Sequence, residues 1–149
     1  ERHPDVIRSI QKQGHHIGCH SYQHELSFRF DEKTFKADTL KAKRLIEDVT
    51  GEEVNAFRAP GFSITKNNTW ALYCLAEMGF RYDCSMFPAP HDYGGMPSYG
   101  EGVPKRIDVG DGRILQVFLS SKYGLCSIRM VWEKRRKYSL VYLTRVAGQ

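Results

Sequence analysis

No two cysteines of this 149-residue chain form a CxxC pair; Cys19, Cys74, Cys84 and Cys126 are scattered. That spacing excludes a zinc ribbon and a thioredoxin-type redox motif, and four such thiols are too sparse for a disulfide framework. Cys19 and Cys74 lie among apolar neighbours, where buried free thiols are expected. The set favours a reducing compartment, the cytoplasm, as the expected location. No apolar run approaches the roughly 20 residues of a membrane span, so none is expected. HExxH is absent because Ser21 follows His20, which argues against a zincin protease. Internal repeats and low-complexity tracts are also missing. The chain opens on Glu1 in a charged stretch unlike a signal peptide, and its protein's true start is expected to lie upstream.

What is present describes one globular domain. A hydrophobic content of 41% with 26% charged residues separates the chain from disordered sequences. Its net charge of +5 is unevenly spread: residues 1–121 carry 15 Lys/Arg against 16 Asp/Glu, whereas residues 122–149 carry 7 against one. The expected division is therefore a domain over 1–121 and a basic tail of uncertain structure over 122–149. Such a tail can bind nucleic acid by counterion release. Without a helix-turn-helix, RRM or zinc-finger pattern, a solvated terminal segment is the expectation, and nucleic acid is not an expected partner.

Pro4 and Asp5 open a predicted helix with Val6, Ile7 and Ile10 on one face and Gly14 at its end. Residues 15–20 predict a short buried strand centred on Ile17, followed by a polar and aromatic loop over 21–30. Asp31 is a good N-cap; Phe35, Ala42, Leu45, Ile46 and Val49 then fall at helical spacing up to Gly51. A strand is predicted over 54–58, stopped by Pro60-Gly61. A helix capped by Asn67 or Asn68 runs to Met78, with Ala71, Leu75 and Met78 inward, and a strand over 80–87 follows. This alternation predicts an α/β fold of parallel strands joined by crossover helices. Residues 88–104, rich in Pro, Gly and Tyr, predict an ordered loop or lid. Segments 103–108 and 113–119 predict a hairpin across Gly110-Asp111-Gly112. Beyond Ser120 no period is legible.

In parallel α/β architectures the functional loops follow the carboxyl ends of strands. Two segments of chemical interest begin there, near His20 and near Arg58. His20 and His24, four residues apart, suit joint coordination of one metal ion on a helix face or in a tight loop. By itself HxxxH also describes ordinary loop histidines.

The run Gly14-His15-His16-Ile17-Gly18-Cys19-His20-Ser21-Tyr22-Gln23-His24-Glu25 resembles the second motif of the NodB-like polysaccharide deacetylases, G-H-x-I-x-x-H-[ST]-x-x-H. Phe57-Arg58-Ala59-Pro60-Gly61-Phe62-Ser63 resembles that family's R-x-P motif. Tyr82-Asp83-Cys84-Ser85-Met86-Phe87-Pro88 is similar to a Y-D-S-S-x-F-P segment of bacterial exopolysaccharide-type members. Three motifs in order are far more specific than one, and the likeness covers roughly residues 3–119.

The resemblance implies an incomplete deformed (β/α) barrel and a hydrolase that removes acetyl groups from N-acetylated sugars of a polysaccharide or oligosaccharide. It implies a divalent metal, usually Zn²⁺, held by His20 and His24 and a carboxylate, with an open position for water. Arg58 would orient a catalytic carboxylate, a bidentate task that Lys fills poorly. Asp83 would support the site through Arg58 or a neighbour. Pro60, Gly61 and Phe62 would form a wall of the substrate groove, with Tyr22 a stacking candidate. His15 and His16 are not expected to be ligands, and the His91-Asp92 pair, though similar to one in the same subgroup, is given no role.

Two family motifs have no counterpart here. The T-[FY]-D-D strand end, which supplies the general base and third metal ligand, belongs upstream of Pro4. The L-x-H motif, which supplies a general acid, is not found because no His follows His91. The 149-residue chain alone is therefore expected to be inactive or nearly so, although the parent protein is expected to be an enzyme. After Ser121 the likeness stops. The cluster Lys134-Arg135-Arg136-Lys137 and the absence of a glycine-rich segment suggest a shifted reading frame from about residue 122. The competing expectation is a non-catalytic carbohydrate-binding domain that keeps the groove without the chemistry.

Overall fold

A computed structural model describes residues 3–90, 92–97, 105–110, 112–119 and 140–143. Helix α1 (Pro4–Lys12) starts with proline at a position whose N–H has no helical partner, and Gly14 leaves it at φ 85°. Strand β1 (His16–Cys19) leads into a loop with one 3₁₀ turn, Ser27–Arg29. Helix α2 (Glu32–Thr50) is capped as its sequence predicts. Asp31 Oδ1 accepts from Thr34 N at 2.7 Å, and Gly51, at φ 69°, closes the last turn by donating to Glu47 O.

Strand β2 (Ala56–Phe57) is shorter than the predicted 54–58. The reason is local: Val54 N donates to Glu47 Oε1 at 2.9 Å and Val54 O accepts from Lys43 Nζ at 2.7 Å. Side chains of α2 thus satisfy backbone groups that a strand neighbour would otherwise take. Helix α3 (Trp70–Glu77) starts later than predicted, with Thr69 at its N-cap. Neither asparagine caps it by side chain. Asn68 is turned back into the preceding loop, accepting from Thr65 N and Oγ1 at 2.7 and 2.8 Å and donating to Ser63 O.

Strand β3 (Tyr82–Met86) follows, and the predicted hairpin is present as β4 (Lys105–Asp108) antiparallel to β5 (Ile114–Leu119). Strand β6 (Leu140–Leu143) lies in the segment where no period was legible; four residues are too few to display one. The sheet order is β4-β5-β3-β2-β1-β6, parallel except at β4. Helix α2 joins β1 to β2 and α3 joins β2 to β3, and α2 touches both α1 and α3, so the helices lie side by side against the sheet. The described strands form an open sheet.

Between helices and sheet sits a core of Phe35, Phe57, Ile64, Leu72, Leu75, Phe80, Leu115 and Val117. Its aromatic centre is edge-to-face, with centroids 5.9 Å apart for Phe35–Phe57, 5.7 Å for Phe57–Phe80 and 5.6 Å for Phe35–Trp70. Cys19, Cys74 and Cys84 are buried; Cys126 lies outside the described residues. No described helix is long and apolar enough to cross a membrane.

Candidate metal and substrate site

The parallel register decides which loops meet. Cys19 at the end of β1 is level with Phe57 at the end of β2, and Arg58 N donates to Cys19 O at 3.1 Å. His20 and Arg58, 38 positions apart, therefore leave the sheet side by side. The His20 Nδ1 donates to the Arg58 carbonyl oxygen at 2.5 Å. That bond settles the tautomer: with the proton on Nδ1, the Nε2 lone pair is left to serve as a ligand. Burial holds the His20 pKa below the ordinary imidazole value; the nearby His24 and Arg58 charges act the same way, and the Arg58 carbonyl opposes them. The neutral, ligating form is thereby favoured.

The His20 and His24 rings are 5.1 Å apart between centroids, at 68°. Two imidazoles sharing one tetrahedral zinc at Zn–N distances of about 2.0–2.1 Å would have centroids separated by roughly 5.2 Å. The pair fits that demand. A third donor is a different matter: among the described residues no group of three His, Cys, Asp or Glu is clustered to hold a metal. What the described residues offer is a pair of imidazoles at a separation compatible with one shared cation.

The loop that turns His24 back toward His20 has a strained backbone. Ser21 (φ 69°), His24 (φ 59°) and Phe62 (φ 51°) are the non-glycine residues with positive φ among those described, and all three belong to the two site loops. Such conformations persist only where surrounding contacts impose them. For the first loop the contacts come from Asp38 of α2, whose carboxylate accepts from Ser21 Oγ (2.8 Å), Tyr22 N (2.9 Å) and Gln23 N (3.0 Å). Ser21 Oγ in turn accepts from His24 N at 3.1 Å. Asp38 was not among the residues singled out from the sequence. Its signal was a lone carboxylate three residues after Phe35 and four before Ala42, on the buried face of α2.

The second loop is held from β3. Asp83, fully buried, accepts from Ser85 Oγ and from Ser85 N, while Ser85 Oγ accepts from Ala59 N at 2.8 Å. Asp83 thus reaches the residue next to Arg58 through Ser85. Beyond Arg58, Pro60 is buried and Gly61 sits at φ 59°. A Cβ on Gly61 would lie 2.9 Å from Leu26 Cδ2 and 3.0 Å from Tyr93 Cβ, and its φ of 59° strains other residues, so glycine suits the close approach of both segments. Phe62 stacks on Phe87 at 5.3 Å, and the Arg58 guanidinium carbon is 5.6 Å from the Phe62 centroid, within cation–π reach. Tyr22 packs against the core with Lys41 Nζ 4.0 Å above its ring. Part of the expected lid rests on this loop, since Gly95 N donates to Phe62 O at 3.1 Å. His91 lies outside the described residues.

The structure therefore gathers His20, His24, Arg58, Pro60, Gly61 and Phe62 on two adjoining loops at the carboxyl end of the sheet. Asp83 stands behind them and Tyr22 leans on α2. A wider hollow of about 460 Å³, lined by Glu53, Arg81 and Arg113 among others, opens at the opposite end of the strands. It holds none of the residues with ligand geometry, and an Arg81–Glu53 ion pair borders it.

Comparison with known proteins gives a consistent outcome. The sequence profile of the family described as polysaccharide deacetylase matches residues 1–82. Over 111 residues the chain is 33% identical to a peptidoglycan deacetylase of Helicobacter pylori (strain ATCC 700392 / 26695), a match covering 74% of this chain and 33% of that protein. Among solved structures it is similar to a Mycobacterium smegmatis protein assigned as a polysaccharide deacetylase. That match has 30% identity and a TM-score of 0.61, over 81% of this chain and 37% of that one. It is also similar to PuuE allantoinase, with 26% identity and a TM-score of 0.60, over 80% of this chain and 35% of that one. The chain spans about a third of the length of these relatives.

Proposed function

The chain belongs to the polysaccharide deacetylase family, and on that premise we propose that it forms part of a metal-dependent hydrolase that removes acetyl groups from N-acetylated sugars of a polysaccharide. The observation that carries the reading is the His20–His24 pair at 5.1 Å, with the Nδ1 of His20 committed to the Arg58 carbonyl. In this reading both imidazoles hold a divalent cation, zinc being the best match to a nitrogen-rich tetrahedral site. His20 and His24 would hold the cation, which would supply Lewis acidity for the acetyl carbonyl and would lower the pKa of a water molecule so that it loses a proton to become the nucleophile near neutral pH.

The chain's own residues supply position. His20 offers Nε2 because its other nitrogen is tied to a carbonyl. Arg58, with its guanidinium over the Phe62 ring, orients a carboxylate that takes the water proton. Asp83 and Ser85 keep the Arg58–Pro60 turn in place through Ala59 N. Pro60, Gly61 and Phe62 form a wall against which a sugar ring lies. The general base and the third ligand are not supplied by the described residues, and a site lacking a base loses about 10²- to 10⁴-fold in rate.

The competing expectation is a carbohydrate-binding domain without turnover. Zinc titration of the purified chain, paired with binding of N-acetylated chito-oligosaccharides, separates the two. Zinc uptake that is lost in both His20→Ala and His24→Ala, with sugar binding that responds to zinc, supports the deacetylase. Sugar binding indifferent to zinc and to both substitutions would replace it with the second reading.

A further inference from the structure

The residue bonded most heavily to the loop between the two imidazoles lies outside the family motifs quoted above. Asp38 stands in the middle of α2, only 5% exposed, between Phe35 and Ala42 on the face packed into the core. A carboxylate in such a place is costly unless its oxygens are occupied. Both are, and every bond named for them comes from the loop carrying the two imidazoles: Ser21 Oγ and Tyr22 N on Oδ2, Gln23 N on Oδ1. A second contact from the same helix acts on the same loop, with Lys41 Nζ lying 4.0 Å over the Tyr22 ring. The chain between His20 and His24 is the segment these contacts grip. It enters through Ser21 at φ 69° and leaves through His24 at φ 59°.

We propose that Asp38 is the positioning residue of this metal site, its buried carboxylate holding the 20–24 loop in the strained turn that brings the two imidazoles within coordinating distance of one cation. The inference rests on the metal-site reading above. Its chemistry is specific to a carboxylate. Three donors converge on two acceptor oxygens, and an amide offers one acceptor plus a donor that would confront an N–H. The grip reaches His24 by a relay, because the Ser21 hydroxyl that donates to Asp38 also accepts from His24 N at 3.1 Å. The loop is thereby registered against a helix whose own position is set by Phe35 and Ile46 in the core. A partner that orients ligands in this way is typically worth 10- to 100-fold in metal affinity.

The test is the zinc dissociation constant, by chelator competition, of the full chain and three variants, with metal-free urea unfolding to establish the folded fraction. Asp38→Asn is expected to bind zinc about 10- to 100-fold more weakly in its folded fraction. Ser21→Ala, which cuts the relay but leaves the two amides on Asp38, is expected to fall between it and wild type. Ile46→Val, a stability control on the same helix, is expected to keep wild-type zinc affinity. Wild-type affinity in folded Asp38→Asn, or an equal loss in Ile46→Val, would overturn the proposal. Should Asp38→Asn not fold, Ser21→Ala decides, and unchanged affinity there counts against it. Amide exchange gives an independent readout: Tyr22 and Gln23 are expected to be protected in metal-free wild type, and exchange at unfolded-chain rates would sink the brace. If wild type binds no zinc while those amides are protected, the metal-site reading fails and the brace survives only as a structural one.

Discussion

His20 shows how position changes the chemistry of one side chain. Its pKa lies below the ordinary 6.5 first because burial disfavours the cation. The linkage sign follows: above about pH 6.5 both folded and unfolded states carry a neutral ring and no cost arises. As pH falls through that value toward the lower folded pKa, the unfolded chain takes up the proton first and stability is lost. Metal-free protein in chelator is therefore expected to lose more urea-unfolding free energy between pH 7.5 and 5.5 than the His20→Asn variant does. Equal losses in the two proteins would contradict the burial argument. One residue earlier, Cys19 has its thiol pushed up to about 12 by burial, which keeps it protonated and unreactive near neutral pH. The histidine pair could be read from spacing because both members lie within five residues. Asp38 could not, since its partners are 15 to 17 positions away.

At the level of elements, loops carry the site and helices hold the loops. The contact between residues 92–96 and the Pro60–Phe62 turn is the most sterically exacting. A Cβ on Gly94 would lie 2.1 Å from Phe62 O and 2.9 Å from Ser63 Cα, distances no side chain tolerates without backbone movement. Gly94→Ala is thus expected to cost about 1–3 kcal/mol, the usual range for overpacking. Urea denaturation checks the magnitude, and faster limited proteolysis near residues 92–96 would identify the displaced segment. A variant as stable and as protease-resistant as wild type would mean that residues 92–96 do not rest on the Pro60–Phe62 turn. The stretch was legible as Pro-, Gly- and Tyr-rich, but where its described residues dock depended on an interatomic distance that no composition reports. Helix α2, by contrast, was legible from its N-cap to its closing glycine, because caps and hydrophobic periodicity act within a few residues.

For the whole molecule, the proposed metal would be linked to the fold by mass action. A ligand that binds only the folded state adds about 2.7 kcal/mol of stability at a free concentration 100 times its dissociation constant. Saturating zinc is therefore expected to raise the unfolding midpoint, EDTA to reverse the rise, and His24→Ala to abolish it. A zinc-independent midpoint in wild type would remove the metal from the fold's energetics. The alternation of helices and strands, the parallel sheet and the hairpin over β4 and β5 were all present in sequence order, since hydrophobic period and turn chemistry are local signals. Strand β6 beside β1, the clipped β2 and the braces from Asp38 and Asp83 depended on tertiary structure. Each is a pairing between groups far apart along the chain, and only the folded sheet, by bringing β1, β2 and β3 into register, places those partners within hydrogen-bonding distance.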